Sequence, residues 1–254
     1  MLLIRPLLIA LSTYTRLPLP KVEFNEEDMK YSMCFFPLAG VLVGLVFWGW
    51  WHFSNWLQVG VLFRSAAFAL IPLLVTGGIH MDGFLDVCDA LASWQPKEKK
   101  LDIMKDPHMG AFAVIRCGMY LLAMLGIYSE IGSSRQAMLI SLGFITSRSL
   151  VILMFNILPN ARGSGMMQRF QQTQGKKAVL MAAGVFSLLA FAVGIKLLPV
   201  LFLLGMVAFA LTSLWFRRVS MHQFGGITGD LAGFFVQVSE LVFALVVLIA
   251  GRFV

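Results

Sequence analysis

Seven long, nearly charge-free apolar runs limit what this chain can fold into. They cover residues 35–57, 59–79, 110–129, 137–158, 178–195, 197–216 and 231–250. A helix needs about 20 residues to cross the roughly 30 Å hydrocarbon core of a bilayer. Inside lipid every backbone N–H and C=O must be paired, which leaves helices or closed barrels. The runs lack period-two alternation and most are too long for barrel strands. The chain is therefore read as an all-α polytopic integral membrane protein with about seven transmembrane helices. Composition agrees: 13% of the 254 residues are charged and 59% are hydrophobic, whereas a soluble domain carries about 25% charge. With no internal repeat, low-complexity tract or separate soluble stretch, residues 1–254 form a single membrane-embedded domain.

The basic residues orient the bundle. Between alternate runs fall Arg5, Arg16, Lys21 and Lys30, then Lys97, Lys99, Lys100 and Lys105, then Arg162, Arg169, Lys176 and Lys177, then Arg217 and Arg218. The opposite loops hold only Arg64, Arg135, Lys196 and Arg252, while Arg116 and Arg148 lie inside runs. By the positive-inside rule the richer side and the N-terminus are cytoplasmic. The same rule accounts for the formal net charge of +7, and no basic-aromatic module points to nucleic acid. Met1 to Leu19 is apolar but broken by Arg5, Pro6 and Arg16, and no small-residue cleavage site follows. It reads as a short interfacial or partial helix. Cys34, Cys88 and Cys117 form no CxxC pair and suggest neither a disulfide framework nor a thiolate metal cluster.

Carboxylates carry the chemistry. In the block Gly77 to Asp89, Asp82, Asp86 and Asp89 are spaced i, i+4, i+7 and share one helix face. Three like charges a turn apart destabilise a helix, and a hard divalent cation such as Mg²⁺ would offset the repulsion. The alternative is a solvated helix end, although Phe84, Leu85, Val87 and Cys88 make that flank apolar. His80 could act as a general base or make an ordinary interfacial hydrogen bond.

Two further clusters fall on the same side. In Leu101 to Gly110, Asp106 could join the metal and Lys105 could meet a phosphate, or the segment could be a polar helix entry broken at Pro107. In Phe224 to Asp230, the turn at Gly225 and Gly226 before a helix could offer backbone N–H groups to an anion. Asp230 could be a metal ligand or an N-cap. Glu240, ten residues further on, needs a partner at membrane depth. Arg148 is one candidate, yet Arg148 and Arg116 could instead bind substrate phosphate.

Several of these elements resemble the cobalamin 5′-phosphate synthase (adenosylcobinamide-GDP ribazoletransferase) family. They are Tyr14 to Pro20, Phe36 to Gly40, the GGxHxDGxxDxxD block at 77–89, Ile103 to Asp106 with Gly110, Ser147-Arg148, and Gly225-Gly226-x-Thr228-Gly229-Asp230 with Glu240 downstream. Pro107-His108 replaces a Ser-Arg-like pair. The resemblance implies that adenosylcobinamide-GDP is joined to α-ribazole or its 5′-phosphate with release of GMP, that Mg²⁺ is needed, and that a bacterial or archaeal cytoplasmic membrane holds the enzyme with its site facing the cytoplasm. It implies metal binding by Asp82, Asp86 and Asp89, joined by Asp106 or Asp230. Lys105, Arg116, Arg148 and the Gly225, Gly226, Thr228 turn become candidates for phosphate. His80, Asp82 and Lys105 become candidates for proton transfer and catalysis. Homo-oligomerisation is left open. A CDP-alcohol phosphotransferase would share the chemical logic, but its Ala-Arg after Asp-Gly is absent at Asp82-Gly83. A cation transporter would spread its carboxylates through the membrane depth, whereas here they gather at one side.

Overall fold

The computed structural model describes residues 3–20, 26–163 and 175–253. Lys21 and Arg169 of the basic pattern lie outside the described residues, as do Glu23 and the side chains of Glu26 and Glu27. The described residues are almost wholly helical: α1 Ile4–Tyr14, α2 Glu26–Ser32, α3 Phe36–Trp56, α4 Val61–Thr76, α5 Ile79–Ala92, α6 Lys97–Ile103, α7 Ala111–Ser129 and α8 Ser134–Ile157 come first. After the undescribed segment follow α9 Lys176–Leu197, α10 Pro199–Val219 and α11 Gly229–Ala250, with a π-helical turn at Ser220–Phe224 between the last two.

Among the described residues, six helical segments are long and apolar enough to cross a membrane, and the α4–α5 pair counts as a seventh if taken as one broken span. The second apolar run does not continue straight to residue 79 as its hydropathy suggests. It stops at Thr76, and the chain turns by 99° into α5. The cause is local: Gly77 and Gly78 have φ of +67° and +78°, a left-handed pair that side-chain-bearing residues rarely adopt. The turn swings the GGxHxDG block nearly perpendicular to α4, across the bundle end.

Burial ranks the helices. In α8 78% of the membrane-length window is buried and in α11 67%, against 22% for each of α7 and α9. Helices α8 and α11 therefore form the centre. Met181, Val185, Leu188 and Leu189 of α9 and Leu203, Val207, Leu211 and Leu214 of α10 recur at helical spacing on exposed surface. In an aqueous protein that stripe would be costly; here it is the lipid-facing side. The short α1 is too brief to span, and it buries Pro6, Ile9 and Ala10. It is thus packed into the bundle end and not merely interfacial. Asp28 of α2 pairs with Arg5 of α1 at 3.4 Å.

Candidate active site

The bent α5 brings the block of residues 77–89 against the start of α11. A Cβ added at Gly233 would stand 2.9 Å from the His80 carbonyl oxygen, and one at Gly83 would stand 2.7 Å from the Asp230 Cα. Phe84 stacks on Phe234 with ring centroids 5.6 Å apart. Glycine is needed at both crossings because the two helix backbones nearly touch.

Beside this crossing lies a cavity of ≈ 470 Å³, whose walls include Thr13 and Tyr14 of α1, Phe36 of α3, His80 and Asp82 of α5, Lys105, Arg162, and Thr228 to Asp230. Six chain segments distant in sequence thus meet at one end of the bundle. The loop after α8 is held in register with the Gly-Gly turn by Ala161 N–H donating to the Ile227 carbonyl at 3.1 Å and Ile227 N–H donating to Pro159 at 2.8 Å. Arg162 of that loop pairs with Asp230 at 3.0 Å.

The carboxylates divide. Asp82 is exposed, and Asp86 is half-buried on the same face. Burial, then the nearby Asp82 and Asp230 charges, push the Asp86 carboxyl up to about 6. A group held against its own repulsion in this way is suited to a cation. No group of three or more His, Cys, Asp or Glu among the described residues is arranged as a ready-made metal cage. The donor set fits a hydrated Mg²⁺, which commonly takes one or two carboxylates plus substrate phosphates.

Asp89 has another occupation. Its two oxygens accept the backbone N–H groups of Gly110 at 2.5 Å and Ala113 at 2.8 Å, which caps the start of α7. The helical spacing correctly put it on the face of Asp82 and Asp86, but spacing does not reveal a cap borrowed from 21 residues away. Asp106 is exposed, and its carboxylate accepts from the His108 backbone at 2.9 Å and meets the His108 ring at 2.7 Å. Both contacts hold it below the usual carboxylate range. Its neighbour Lys105 reaches the cavity wall while pairing with Asp102 at 3.3 Å.

The Gly-Gly turn differs from expectation. Gly225 N–H donates to Met221 and Gly226 N–H to Ser220, each at 3.2 Å, so these amides are spent inside the π-helical turn and are not offered to an anion. A Cβ at Gly226 would approach Ala161 N to 2.9 Å, so this glycine serves the splice between loops. Thr228, not Asp230, is the N-cap of α11, accepting from Leu231 N–H at 3.2 Å. Asp230 is thereby left in the first helical turn, facing the cavity.

The arginine alternatives also resolve. Arg148 is fully buried and pairs with Glu240 at 2.5 Å, while Ser147 donates to the same carboxylate at 2.7 Å. It does not line the cavity, so direct phosphate binding is replaced by ion pairing in the core. Arg116 donates to the Cys88 carbonyl at 3.0 Å, tying α7 to α5, and is likewise not a cavity residue.

His80 is buried at 6% exposure in the cavity wall. It lies between Tyr14, whose ring is 6.4 Å away, and Phe36 at 5.8 Å. Its Nε2 has no hydrogen-bond partner among the described residues, and a buried polar atom left so is costly unless a ligand meets it. Thr13, Tyr14, Phe36, Asn160 and Arg162 were not singled out for chemistry by the sequence. The motif stretches at 14–20 and 36–40 pointed to two of them without a role, and Arg162 was one loop charge among many.

Comparison with known proteins places the chain in one enzyme family. An adenosylcobinamide-GDP ribazoletransferase of Lachnoclostridium phytofermentans is 37% identical over 242 residues, covering 95% of this chain and 92% of the relative. Those of Clostridium botulinum (strain Eklund 17B) and Desulfitobacterium hafniense are 32% and 31% identical, covering 94% and 95% of this chain and 95% of each relative. No solved structure matches the chain. The family described as cobalamin-5-phosphate synthase matches residues 6–248, nearly the whole bundle together with every wall of the cavity, and the chain belongs to that family.

Proposed function

We propose that this protein joins adenosylcobinamide-GDP to α-ribazole or α-ribazole 5′-phosphate, releasing GMP, in a Mg²⁺-dependent reaction at the cytoplasmic face of a bacterial or archaeal inner membrane. The observation that carries the reading is the single cavity shared by His80, Asp82, Arg162 and Asp230, in a chain whose relatives bear that enzyme's name. Its ≈ 470 Å³ suits a diphosphate and a nucleoside-sized acceptor, with the corrin ring left at the mouth.

Asp82 and Asp230, which line the cavity, would hold the metal together with the substrate phosphates, with the Asp86 charge beside them; Asp106, tied to His108, is left outside the metal shell. Asp89 supports them by fixing the start of α7. The cation supplies charge neutralisation on the diphosphate and on the departing GMP. The acceptor hydroxyl attacks the cobinamide-side phosphorus, the bond to the GMP oxygen breaks, and the hydroxyl proton passes to a base. His80 suits that role because its unpartnered Nε2 stands in the cavity wall. Lys105 and Arg162 neutralise phosphate charge. The aromatic walls at Tyr14 and Phe36 restrict water and orient the acceptor.

The test is GMP release from adenosylcobinamide-GDP plus α-ribazole phosphate by purified protein. Chelation of divalent cations should abolish release and Mg²⁺ should restore it. Absence of GMP under both conditions, or release indifferent to chelation, rejects the proposed activity or its metal dependence respectively.

A further inference from the structure

We propose that Arg162 is a cationic placeholder that gives up Asp230 for the substrate diphosphate when the divalent cation arrives. This rests on the metal-dependent reading above. Arg162 enters the cavity from the loop after α8, with Nη2 at 3.0 Å from Asp230 Oδ2 and 3.4 Å from the Met104 carbonyl. Its Nε is buried and has no hydrogen-bond partner among the described residues. In a guanidinium, Nε and Nη2 share one edge, the edge that grips a carboxylate or phosphate with two parallel bonds. Asp230 occupies one donor of that edge and leaves the other unsatisfied. The pair is therefore a partial grip that a phosphate with two oxygens in line would complete.

The placement is built and not incidental. Arg162 N–H donates to Asn160 Oδ1 at 2.9 Å, and Asn160 itself forms a parallel bridge with Ile227. Loop and Gly-Gly turn are thus one splice, with Arg162 and Asp230 projecting from its two strands of chain. Around them, Asp82, Asp86 and Asp230 repel one another, and Arg162 is the positive charge that offsets part of that repulsion. A dication at the same carboxylates makes the guanidinium surplus there. It is then free for the incoming diphosphate.

Exchange has a signature that a merely structural salt bridge lacks. Arg162 competes with the cation for Asp230 but cooperates with it for the diphosphate. The probes are Mn²⁺, followed by paramagnetic resonance, and GDP, added to the full-length protein in detergent. Arg162→Gln should bind Mn²⁺ alone about threefold or more tighter than wild type, yet bind GDP in the presence of Mn²⁺ about tenfold or more weaker. Both affinities falling together, or neither changing, overturns the exchange. If Arg162→Gln yields no folded protein, Arg162→Lys retains the charge without the fork. It should weaken GDP by about tenfold with Mn²⁺ affinity within about twofold of wild type, and unchanged GDP affinity overturns the idea. Wild-type protein that fails to bind Mn²⁺ overturns the metal reading and the exchange with it. Wild-type binding that Arg162→Gln leaves untouched overturns the exchange alone.

Discussion

Gly83 lies directly against the backbone of Asp230: a Cβ at position 83 would stand 2.7 Å from both the Cα and the carbonyl oxygen of that aspartate. Two motifs separated by well over a hundred residues are thereby locked at fixed distance, and the carboxylates of α5 and α11 share one space. The contact is backbone to backbone, so no side-chain rotation can relieve an added methyl group.

Gly83→Ala should therefore push α5 away from α11. Overpacking of this kind costs about 1–3 kcal/mol, and displacement of the site should lower turnover by about tenfold or more. Thermal unfolding in detergent and GMP release measure the two effects, and wild-type values in both would show that the helices part without consequence.

Asp82→Asn and Asp86→Asn each remove a charge from the face that would hold the cation, without altering size. Transfer should fall by about a hundredfold or more, with membrane insertion and unfolding temperature little changed, because neither carboxylate caps a helix. Near-normal GMP release from both variants would remove these residues from the metal site.

Asp89→Ala deletes the cap of α7 instead. The expected loss is about 1–2 kcal/mol of stability, seen as a lower unfolding temperature, with Mn²⁺ affinity much less affected than in Asp82→Asn. The reverse pattern, intact stability and lost Mn²⁺ binding, would return Asp89 to the metal shell.

Arg148→Met leaves Glu240 buried without its partner. Breaking a buried ion pair costs about 3–5 kcal/mol, so the yield of monodisperse, folded protein should collapse. The double change Arg148→Met with Glu240→Gln should recover part of it, since no lone charge remains. A folded Arg148→Met protein with only a raised KM would instead assign the arginine to substrate.

Much of the fold was legible without coordinates, for a physical reason. Lipid tolerates almost no unpaired backbone, so a run such as 231–250, too long and too evenly apolar for a barrel strand, reads as a helix, and the observed Gly229–Ala250 differs by two residues at its start. The run at 59–79 was misjudged at its end because hydropathy does not register φ. Two successive glycines at positive φ turned the last residues into a different helix. Likewise, the i, i+4, i+7 pattern placed Asp82, Asp86 and Asp89 on one face, since helical geometry is local. It could not assign Asp89 to α7, because a cap is a contact between segments.

By itself, the sequence determined the helical class, the approximate spans, the sided distribution of charge and the three carboxylate-bearing segments. Each of these depends on composition or on spacing within one segment. Tertiary structure alone decided which side chains meet: Arg148 with Glu240 in the core, Arg162 with Asp230 in the cavity, and His80 in the wall between Tyr14 and Phe36. Those pairings follow from the bend at Gly77-Gly78 and from glycine-sized gaps at helix crossings. Their outcome depends on how distant helices pack, which no local pattern encodes.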